Sequence, residues 1–434
     1  MIAVVDTGVS SDHPDLPNSR QVRLNGSNFA GGNANDPSPV GNEAHGNACA
    51  GIIAASHNDE GIAGIAPLCR IMPVRLPSSG SVPGSVYASA ITFARTNGAA
   101  IISNSWGFFS SNPNYEPVIV SAISDATSNG RGGLGCVVVF AAGNTADHAG
   151  SNSGFVTFPS NVLNPGVLTV GASDRNDYQA NYSPTSNLGS SQNQIIDVMA
   201  PSSKSIYFGQ IAAGDPDVWT IDIQGGAGYN PLVGALPTTG TNYLDYTGHF
   251  SGTSAACPQV AGVAALMLSE NQNLTQAVVG TIIRSTARKA RSGSSYTYST
   301  TPGRPDGTFN DQMGYGVVNA YDSVRIARPL SYFTSPSQGI NNGGQSTVYA
   351  DSNGYASAVL FTTVPSMAVS YSFVWSSLFY GQYDRWYLWP SGNRADISVY
   401  LNPGQSGGTL RVVCDIYIGS DKVTSTYYYL DVLP

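Results

Sequence analysis

The composition of this chain excludes several functions before any motif is considered. It has 434 residues, of which 11% are charged and 41% hydrophobic, and its formal net charge is −8. The acidic balance, without a basic cluster, argues against binding to nucleic acid or to an anionic membrane surface. No apolar run approaches the roughly 18 to 20 residues needed to span a bilayer. The length allows two or three domains of about 100 to 200 residues each.

Strand-like and helix-like runs alternate over the first three quarters of the chain. Apolar runs predict strands at 71–76, 100–103 and 135–140, and helical patterns predict helices at 85–96, 118–128, 258–270 and 275–285. This alternation is typical of βαβ units, which build a parallel sheet. The five cysteines are irregularly spaced and define no disulfide framework. A bridge between Cys49 and Cys69 is left open.

Asp6 closes the first apolar run and is followed by Thr7 and Gly8. Asp and Gly both favour turns, so in isolation the motif is explained equally well as a strand-to-turn signal. An aspartic peptidase dyad would need a second copy of the motif to share the proton, and the chain has none. That class is therefore excluded.

His45 stands before a run of small apolar residues, 48–55, which predicts the first turn of a buried helix. A single histidine in such a place is usually structural, and that is how we interpret the other four. Further along, the run 137–144 is apolar and β-branched and ends in Gly143 and Asn144, which predicts a strand buried on both faces. Asn144 then lies at the carboxyl end of a strand, where open α/β sheets place their ligand sites.

Ser254 follows Gly252 and Thr253 and precedes a small-residue apolar helix. One serine in this position would be explained as a helix cap. The order Asp6, His45, Ser254 changes that interpretation, because it is the subtilisin order of the Asp/His/Ser constellation. An esterase elbow is excluded, since Ser254 does not stand in a Gly-x-Ser-x-Gly motif.

Together these motifs resemble the subtilisin-like (subtilase) serine peptidase family from Ile2 to about Ala327. Five shorter stretches add to the resemblance: 61–67, 103–107, 167–172, 197–201 and 314–320. It implies an α/β catalytic domain over residues 1–330, with a parallel sheet and helices on both faces. It also implies a serine endopeptidase that acts on protein or peptide substrates and needs no cofactor for its chemistry.

The resemblance gives each catalytic residue a role. His45 is the general base for the Ser254 hydroxyl, and Asp6 orients the imidazole. The Asn144 amide and the Ser254 backbone N–H form the oxyanion hole. Asn47 replaces the threonine that usually follows the His-Gly pair, a change beside the base that removes no catalytic group.

Two short segments are expected to flank the bound peptide and to wall the pocket for the residue before the scissile bond. They comprise Ser105, Trp106, Gly107, Ala141, Ala142 and Gly143. The simpler interpretation of Trp106 is a core aromatic. Cys49 and the Ser-Trp-Gly run are kexin-like, but residues 108–113 contain no carboxylate for basic substrates, so we expect apolar or aromatic residues before the cut. The long segment 204–245 is expected to overhang this cleft.

Asp15 and Asn58 lie in two loops that resemble a structural calcium site of the family, and both would supply side-chain oxygens. Two metal-free surface turns are the alternative. Family members usually carry a further N-terminal segment, a propeptide and a secretion signal; none is present in this sequence, which raises doubt about its activity as written. We expect a secreted or cell-surface location.

From residue 331 to 434 the pattern changes to short Val-, Tyr-, Thr- and Phe-rich runs without a helix signal, which predicts a small Ig-like β-sandwich. Its aromatic residues are candidates for a carbohydrate or protein ligand, or for simple packing: Trp375, Tyr380, Tyr383, Trp386, Tyr387 and Trp389. The alternative function for the whole chain is a catalytically impaired subtilase-like protein in which this β domain mediates binding or adhesion.

Overall fold

The computed structural model describes most of the chain. The described residues are 1–146, 154–163, 166–188, 194–205, 218–225, 227–229, 243–327, 345–349, 355–361, 371–382, 385–391, 394–401, 405–418 and 421–433. The chain divides into two compact units, the first formed by Met1–Ser269 with Thr275–Val324, and the second by Glu270–Leu274 with Arg325–Pro434. Within the described part, no helix is both long and apolar enough to cross a membrane.

The first unit is built on a parallel sheet of six strands. These are β1 (Ile2–Asp6), β2 (Ile71–Arg75), β3 (Ile101–Asn104), β4 (Val137–Ala141), β5 (Val167–Ser173) and β6 (Val198–Pro201), in the spatial order β2-β1-β3-β4-β5-β6. Two further strands, β7 (Val218–Ile221) and β8 (Tyr246–Phe250), form an antiparallel pair. The predicted α/β class with a parallel sheet is confirmed.

Within the described ranges six α-helices are present: α1 (His45–Ala54), α2 (Gly84–Thr96), α3 (Pro117–Asn129), α4 (Thr253–Glu270), α5 (Gln276–Thr286) and α6 (Ala320–Ala327). Most predicted boundaries lie within one or two residues of those observed. For α4 the sequence patterns predict a start at residue 255 or 258, and the helix begins at Thr253, so that Pro258 lies inside it.

The strands are apolar because both faces of the sheet are covered. All residues of β1 to β5 are buried. Alternate residues of β1 and β2, such as Val5 and Val74, form one cluster with apolar residues of α2 and α3, such as Ile91 and Ile123. A strand buried on two faces has no polar side to present, which explains the continuous apolar runs in the sequence.

The parallel order brings the carboxyl ends of β1, β3 and β4 to one edge, because β1 pairs with β3 and β3 pairs with β4. Asp6 ends β1, Asn104 ends β3 and Ala141 ends β4. This is the edge at which open α/β sheets bind ligands.

Beyond α6 the described residues of the second unit form strands: β9 (Gln345–Tyr349), β10 (Tyr355–Phe361), β11 (Tyr371–Gln382), β12 (Arg385–Ser391), β13 (Arg394–Tyr400), β14 (Gly407–Ile418) and β15 (Asp421–Leu433). They form a three-stranded sheet, β10-β13-β12, and a four-stranded sheet, β11-β14-β15-β9. The Ig-like sandwich stays a prediction, and the predicted boundary between residues 330 and 331 lies outside the described residues, as does Tyr383.

Of the six aromatic residues predicted as candidate ligand-binding residues, Trp386 of β12 has side-chain contacts in the described part of the structure. Its indole N–H donates to Ser377 Oγ at 3.0 Å, and its ring lies 6.2 Å from that of Phe379. At this position the aromatic residue packs within its own unit. All five cysteines are free, including Cys49 and Cys69, so the bridge considered between these two is absent.

Candidate active site

Asp6 and His45 are paired at the carboxyl edge of the sheet. Asp6 is 4% exposed, and its Oδ1 lies 2.7 Å from His45 Nδ1. A carboxylate only accepts hydrogen bonds, so Nδ1 carries the proton and Nε2 keeps its lone pair for a substrate or nucleophile. Burial lowers the pKa of His45, but the charge and hydrogen bond of Asp6 outweigh it and raise the pKa above its ordinary value of 6.5.

The three predicted triad residues are clustered, because Cys49 contacts all of them. It lies one turn after His45 on α1. Its Sγ is 3.7 Å from Asp6 Oδ2, 3.9 Å from His45 Nδ1 and 3.7 Å from the backbone oxygen of Ser254. Burial and the neighbouring Asp6 raise the pKa of this thiol well above its ordinary value, so it stays protonated and its single S–H can donate to either oxygen. The sequence indicated Cys49 only as a kexin-like feature.

Ser254 lies in the first turn of α4, and a proline in the next turn determines how its backbone carbonyl is bonded. Pro258 has no N–H, so the carbonyl of Ser254, four residues earlier, has no partner within the helix. The Ser105 hydroxyl fills the gap and donates to this carbonyl at 3.0 Å. In return, the Ser254 hydroxyl donates to the Ser105 carbonyl at 3.3 Å. Ser254 is thus held against the segment that follows β3.

Asn144 is oriented by Thr253. Its Oδ1 accepts from the Thr253 backbone N–H at 2.9 Å and from the Thr253 hydroxyl at 3.0 Å. The hydroxyl oxygen in turn accepts from the Gly143 N–H at 3.2 Å. Because the amide oxygen faces Thr253, the two N–H bonds of Asn144 Nδ2 point to the opposite side. From sequence, Thr253 was recognised only as a capping residue.

The predicted substrate walls are placed on either side of this cluster. Ser105 is 6% exposed, and Trp106 packs with its ring 4.8 Å from Tyr87 and 5.3 Å from Phe140, while Gly107 is exposed. In the second wall, Ala141 and Ala142 are buried and Gly143 is half-buried. The indole of Trp106 therefore belongs to the edge of the core.

Part of the long segment 204–245 covers α1. Thr220 Oγ1 donates to the Ala48 carbonyl at 2.6 Å, and Asn47 Nδ2 donates to the Asp222 carbonyl at 2.9 Å. Phe250 of β8 lies with its ring 5.2 Å from His45 and 5.7 Å from Tyr229. The described portion of this segment thus covers the residues of α1 that follow the base, and Asn47, which is fully buried, links it to α1 rather than to the imidazole.

Asp15 and Asn58, the predicted calcium ligands, are hydrogen-bonded to each other. Asn58 Nδ2 donates to Asp15 Oδ1 at 3.0 Å, the Ile62 N–H donates to Asp15 Oδ2 at 3.0 Å, and Asn58 Oδ1 accepts the Glu60 N–H at 3.1 Å. The Tyr246 hydroxyl is also hydrogen-bonded to Asp15. Each predicted side-chain ligand oxygen already accepts a hydrogen bond, so a bound ion would share or replace these partners, and the calcium site stays a prediction.

The sequence matches the profile of the Subtilase family over residues 1–316. It is 31% identical to thermitase of Thermoactinomyces vulgaris over 326 residues, covering 75% of this chain and 88% of that protein. It is 32% identical over 353 residues to the calcium-dependent protease of Nostoc sp. (strain PCC 7120 / SAG 25.82 / UTEX 2576), covering 77% of this chain. The chain spans about half of that relative, 48% of its length.

Among solved structures, a protease from Pseudoalteromonas arctica PAMC 21717 superposes with a TM-score of 0.56 at 27% identity, covering 75% of this chain and 89% of that one. A serine protease of Aeromonas sobria superposes with a TM-score of 0.60 over 99% of this chain and 85% of that one. Its identity is 17%, so it shows the fold alone.

The chain belongs to the subtilase family, and the resemblance to subtilisin-like serine proteases that the motifs indicated is confirmed. The comparisons do not support the alternative of a binding or adhesion protein. Two of the relatives, from Nostoc sp. and Trichormus variabilis, are named calcium-dependent proteases.

Proposed function

We propose that the chain is a serine endopeptidase that hydrolyses peptide bonds through Asp6, His45 and Ser254. The observation that carries the proposal is the contact of one thiol, Cys49 Sγ, with Asp6, His45 and Ser254 at 3.7 to 3.9 Å, beside the 2.7 Å hydrogen bond of Asp6 to His45. Three residues from distant parts of the sequence are thereby gathered at the ligand-binding edge of a parallel sheet.

The first half-reaction forms an acyl-enzyme. The Ser254 hydroxyl turns from the Ser105 carbonyl towards His45, since catalytic hydrogen bonds are often long or misaligned before substrate binds. Ser254 Oγ bonds to the substrate carbonyl carbon while its proton passes to His45 Nε2, and Asp6 stabilises the imidazolium. When the C–N bond breaks, the same proton goes to the leaving amine.

Water completes the second half-reaction. His45, neutral again, takes a proton from water as its oxygen attacks the acyl carbon, and the proton then returns to Ser254 Oγ as the ester bond breaks. The reaction consumes one water and releases an acid and an amine. It needs no redox partner.

The negative oxygen of each tetrahedral intermediate requires donors, and two are suitably supported. Asn144 directs its Nδ2 away from Thr253, and the Ser254 N–H lies in the first turn of α4, where backbone N–H groups have no helical acceptor. Removing the side-chain donor of such a site costs about 10² to 10³ in kcat, as found in a subtilisin.

The remaining assignments extend the proposal. The substrate is a protein or peptide laid between the walls that contain Gly107 and Gly143. The enzyme acts outside the cell or at its surface, and residues 331–434 form a β domain that contributes no catalytic group. The closed hydrogen bonds around Asp15 would have to open for calcium to bind there.

A serine-directed phosphonate probe tests the proposal. We expect the full chain to be labelled at Ser254, to hydrolyse a short chromogenic peptide, and to lose both properties in Ser254→Ala. Ser269→Ala on the exposed face of the same helix is a matched control and should behave as the parent. Labelling elsewhere, or activity retained in Ser254→Ala, would contradict the assignment.

A further inference from the structure

Two aromatic rings connect the proposed general base to the segment 204–245. Phe250, the last residue of β8, is 2% exposed, and its ring lies 5.2 Å from the His45 imidazole at an interplanar angle of 75°. Tyr229 packs on Phe250 in turn, with the two ring centroids 5.7 Å apart. Both separations are in the range that aromatic pairs favour. The three rings therefore form a continuous packed row that ends at the base.

The imidazole of His45 is fixed at one ring atom by Asp6. The 2.7 Å hydrogen bond between Nδ1 and Asp6 Oδ1 holds that atom, but the ring can still tilt about it. The imidazole is 29% exposed, so solvent does not resist such a tilt on that side. Contact with the buried ring of Phe250 restricts the tilt and thereby determines where Nε2 points.

Tyr229 is itself held by Asp222, which is fully buried. The Tyr229 N–H donates to both carboxylate oxygens, at 2.9 Å to Oδ2 and 3.2 Å to Oδ1. The Asp222 carbonyl accepts from the Asn47 side chain at 2.9 Å, so the same residue is bonded to α1, the helix that begins with His45. Burial and the nearby charge of Asp6 raise the pKa of the Tyr229 phenol, so this ring stays neutral beside the catalytic pair.

Gly228 lets the segment lie directly against the start of α1. Its φ is +83°, a left-handed conformation that favours glycine. A Cβ atom on Gly228 would collide with the Asp222 carboxylate and would lie 3.0 Å from Ala44 Cβ. Ala44 directly precedes His45. The backbone that carries Tyr229 is therefore in contact with the residue beside the base.

We propose that Tyr229 is a positioning residue for the general base: it seats the Phe250 ring against the His45 imidazole and so keeps Nε2 directed at the Ser254 hydroxyl. The proposal rests on the proposed endopeptidase function. The role requires the ring of Tyr229 and not its hydroxyl. It affects the proton transfers through His45 rather than the binding of substrate.

The test measures kcat and KM on a short chromogenic peptide, with the active sites counted by the serine-directed phosphonate. Tyr229→Ala removes the ring, and we expect kcat per labelled site to fall about 3- to 10-fold, as for the loss of one aromatic pair. KM should change by less than about twofold, because the step affected follows binding. Tyr229→Phe keeps the ring and should restore kcat to within about twofold of the parent. Tyr321→Ala, which removes a tyrosine that is 77% exposed, is the matched control and should behave as the parent.

A second background shows whether Tyr229 acts through Phe250. In Phe250→Leu the ring of Tyr229 no longer has its aromatic partner, so Tyr229→Ala should then cost little further. Should Tyr229→Ala not fold, Tyr229→Leu makes the same comparison, because it removes the aromatic ring but keeps apolar volume.

Each outcome decides the proposal. An unchanged kcat per labelled site, a change confined to KM, a loss that Tyr229→Phe does not restore, or an equal loss in the Phe250→Leu background would overturn the role of Tyr229. These results would leave the endopeptidase function intact. A parent that is not labelled by the phosphonate and cleaves no peptide would overturn both.

Discussion

Replacing Thr253 by valine tests whether the oxyanion hole is set up by a residue that itself touches no substrate. Thr253 is 1% exposed. Valine has nearly the same shape but lacks the hydroxyl, so Asn144 Oδ1 would keep only the backbone N–H at 2.9 Å and lose the hydroxyl at 3.0 Å. The Gly143 N–H, now 3.2 Å from that hydroxyl, would lose its acceptor.

The size of the effect follows from these contacts. A net hydrogen bond is worth about 0.5 to 1.5 kcal/mol, and an orphaned buried donor costs about 1 to 3 kcal/mol. If the poorer orientation of Asn144 removes about 1 to 2 kcal/mol of transition-state stabilisation, kcat falls about 5- to 30-fold, since each 1.36 kcal/mol of activation free energy changes the rate tenfold. This remains below the loss of about 10² to 10³ for removing an oxyanion donor outright. KM should change by less than about twofold, because the amide acts on the developing oxyanion.

Steady-state kinetics on a chromogenic peptide provide the assay. Thr253→Ser retains the hydroxyl and should stay within about twofold of the parent kcat, a margin of about 0.4 kcal/mol. In an Asn144→Ala background the orientation of residue 144 no longer matters, so Thr253→Val should then cost little further. An equal loss of kcat in both backgrounds, or no loss in the parent, would refute the idea that Thr253 acts through Asn144.

Three further predictions concern pH, stability and metal. Because the pKa of His45 is raised above 6.5 and the base must be neutral, kcat/KM should rise with pH through a midpoint above that value. Asp6→Asn removes the charge that raises the pKa, so the midpoint should move to lower pH while kcat falls by up to about 10⁴. Asp306→Ala would remove the 2.6 Å partner of the partly buried Arg284 guanidinium and leave it Asp197 at 3.8 Å, so we expect the free energy of unfolding in urea to fall by about 1 to 3 kcal/mol. EGTA should leave Tm unchanged if the predicted calcium loops are closed by their own hydrogen bonds; a clear fall in Tm would show that an ion stabilises the chain.

The fold of the first unit was largely predictable because its strands are buried on both faces. Burial on both faces demands continuous apolar runs such as 137–141, and these runs are visible without any knowledge of the partner strands. The motif order then indicated which strand ends meet, since a parallel sheet brings Asp6 and Asn144 to the same edge. No sequence pattern reports the spatial order of the six strands, however, because that order depends on long-range packing.

The contact that sequence reasoning missed at Ser105 acts through a backbone atom. The Ser105 hydroxyl donates to the Ser254 carbonyl, and a backbone partner leaves no trace in residue type. Cys49 is similar, since its contact with the Ser254 carbonyl depends on how α1 and α4 pack. Motifs identify groups that do chemistry, whereas groups that position a backbone can be recognised only after the chain has folded.

Pro258 links the start of α4 to the position of the proposed nucleophile. Proline is common in the first turn of a helix, which favours a start at Pro258, whereas the run of small apolar residues favours a start at Ala255. In the structure it lies in the second turn, and the missing N–H leaves the Ser254 carbonyl free to accept from Ser105 at 3.0 Å. A residue with an N–H at position 258 could instead close an ordinary helical bond to Ser254 and compete with Ser105 for its carbonyl. The preference of proline for the first helical turn does not hold here. The Ser254 carbonyl that Pro258 leaves without a helical partner instead fixes the serine that carries the proposed chemistry.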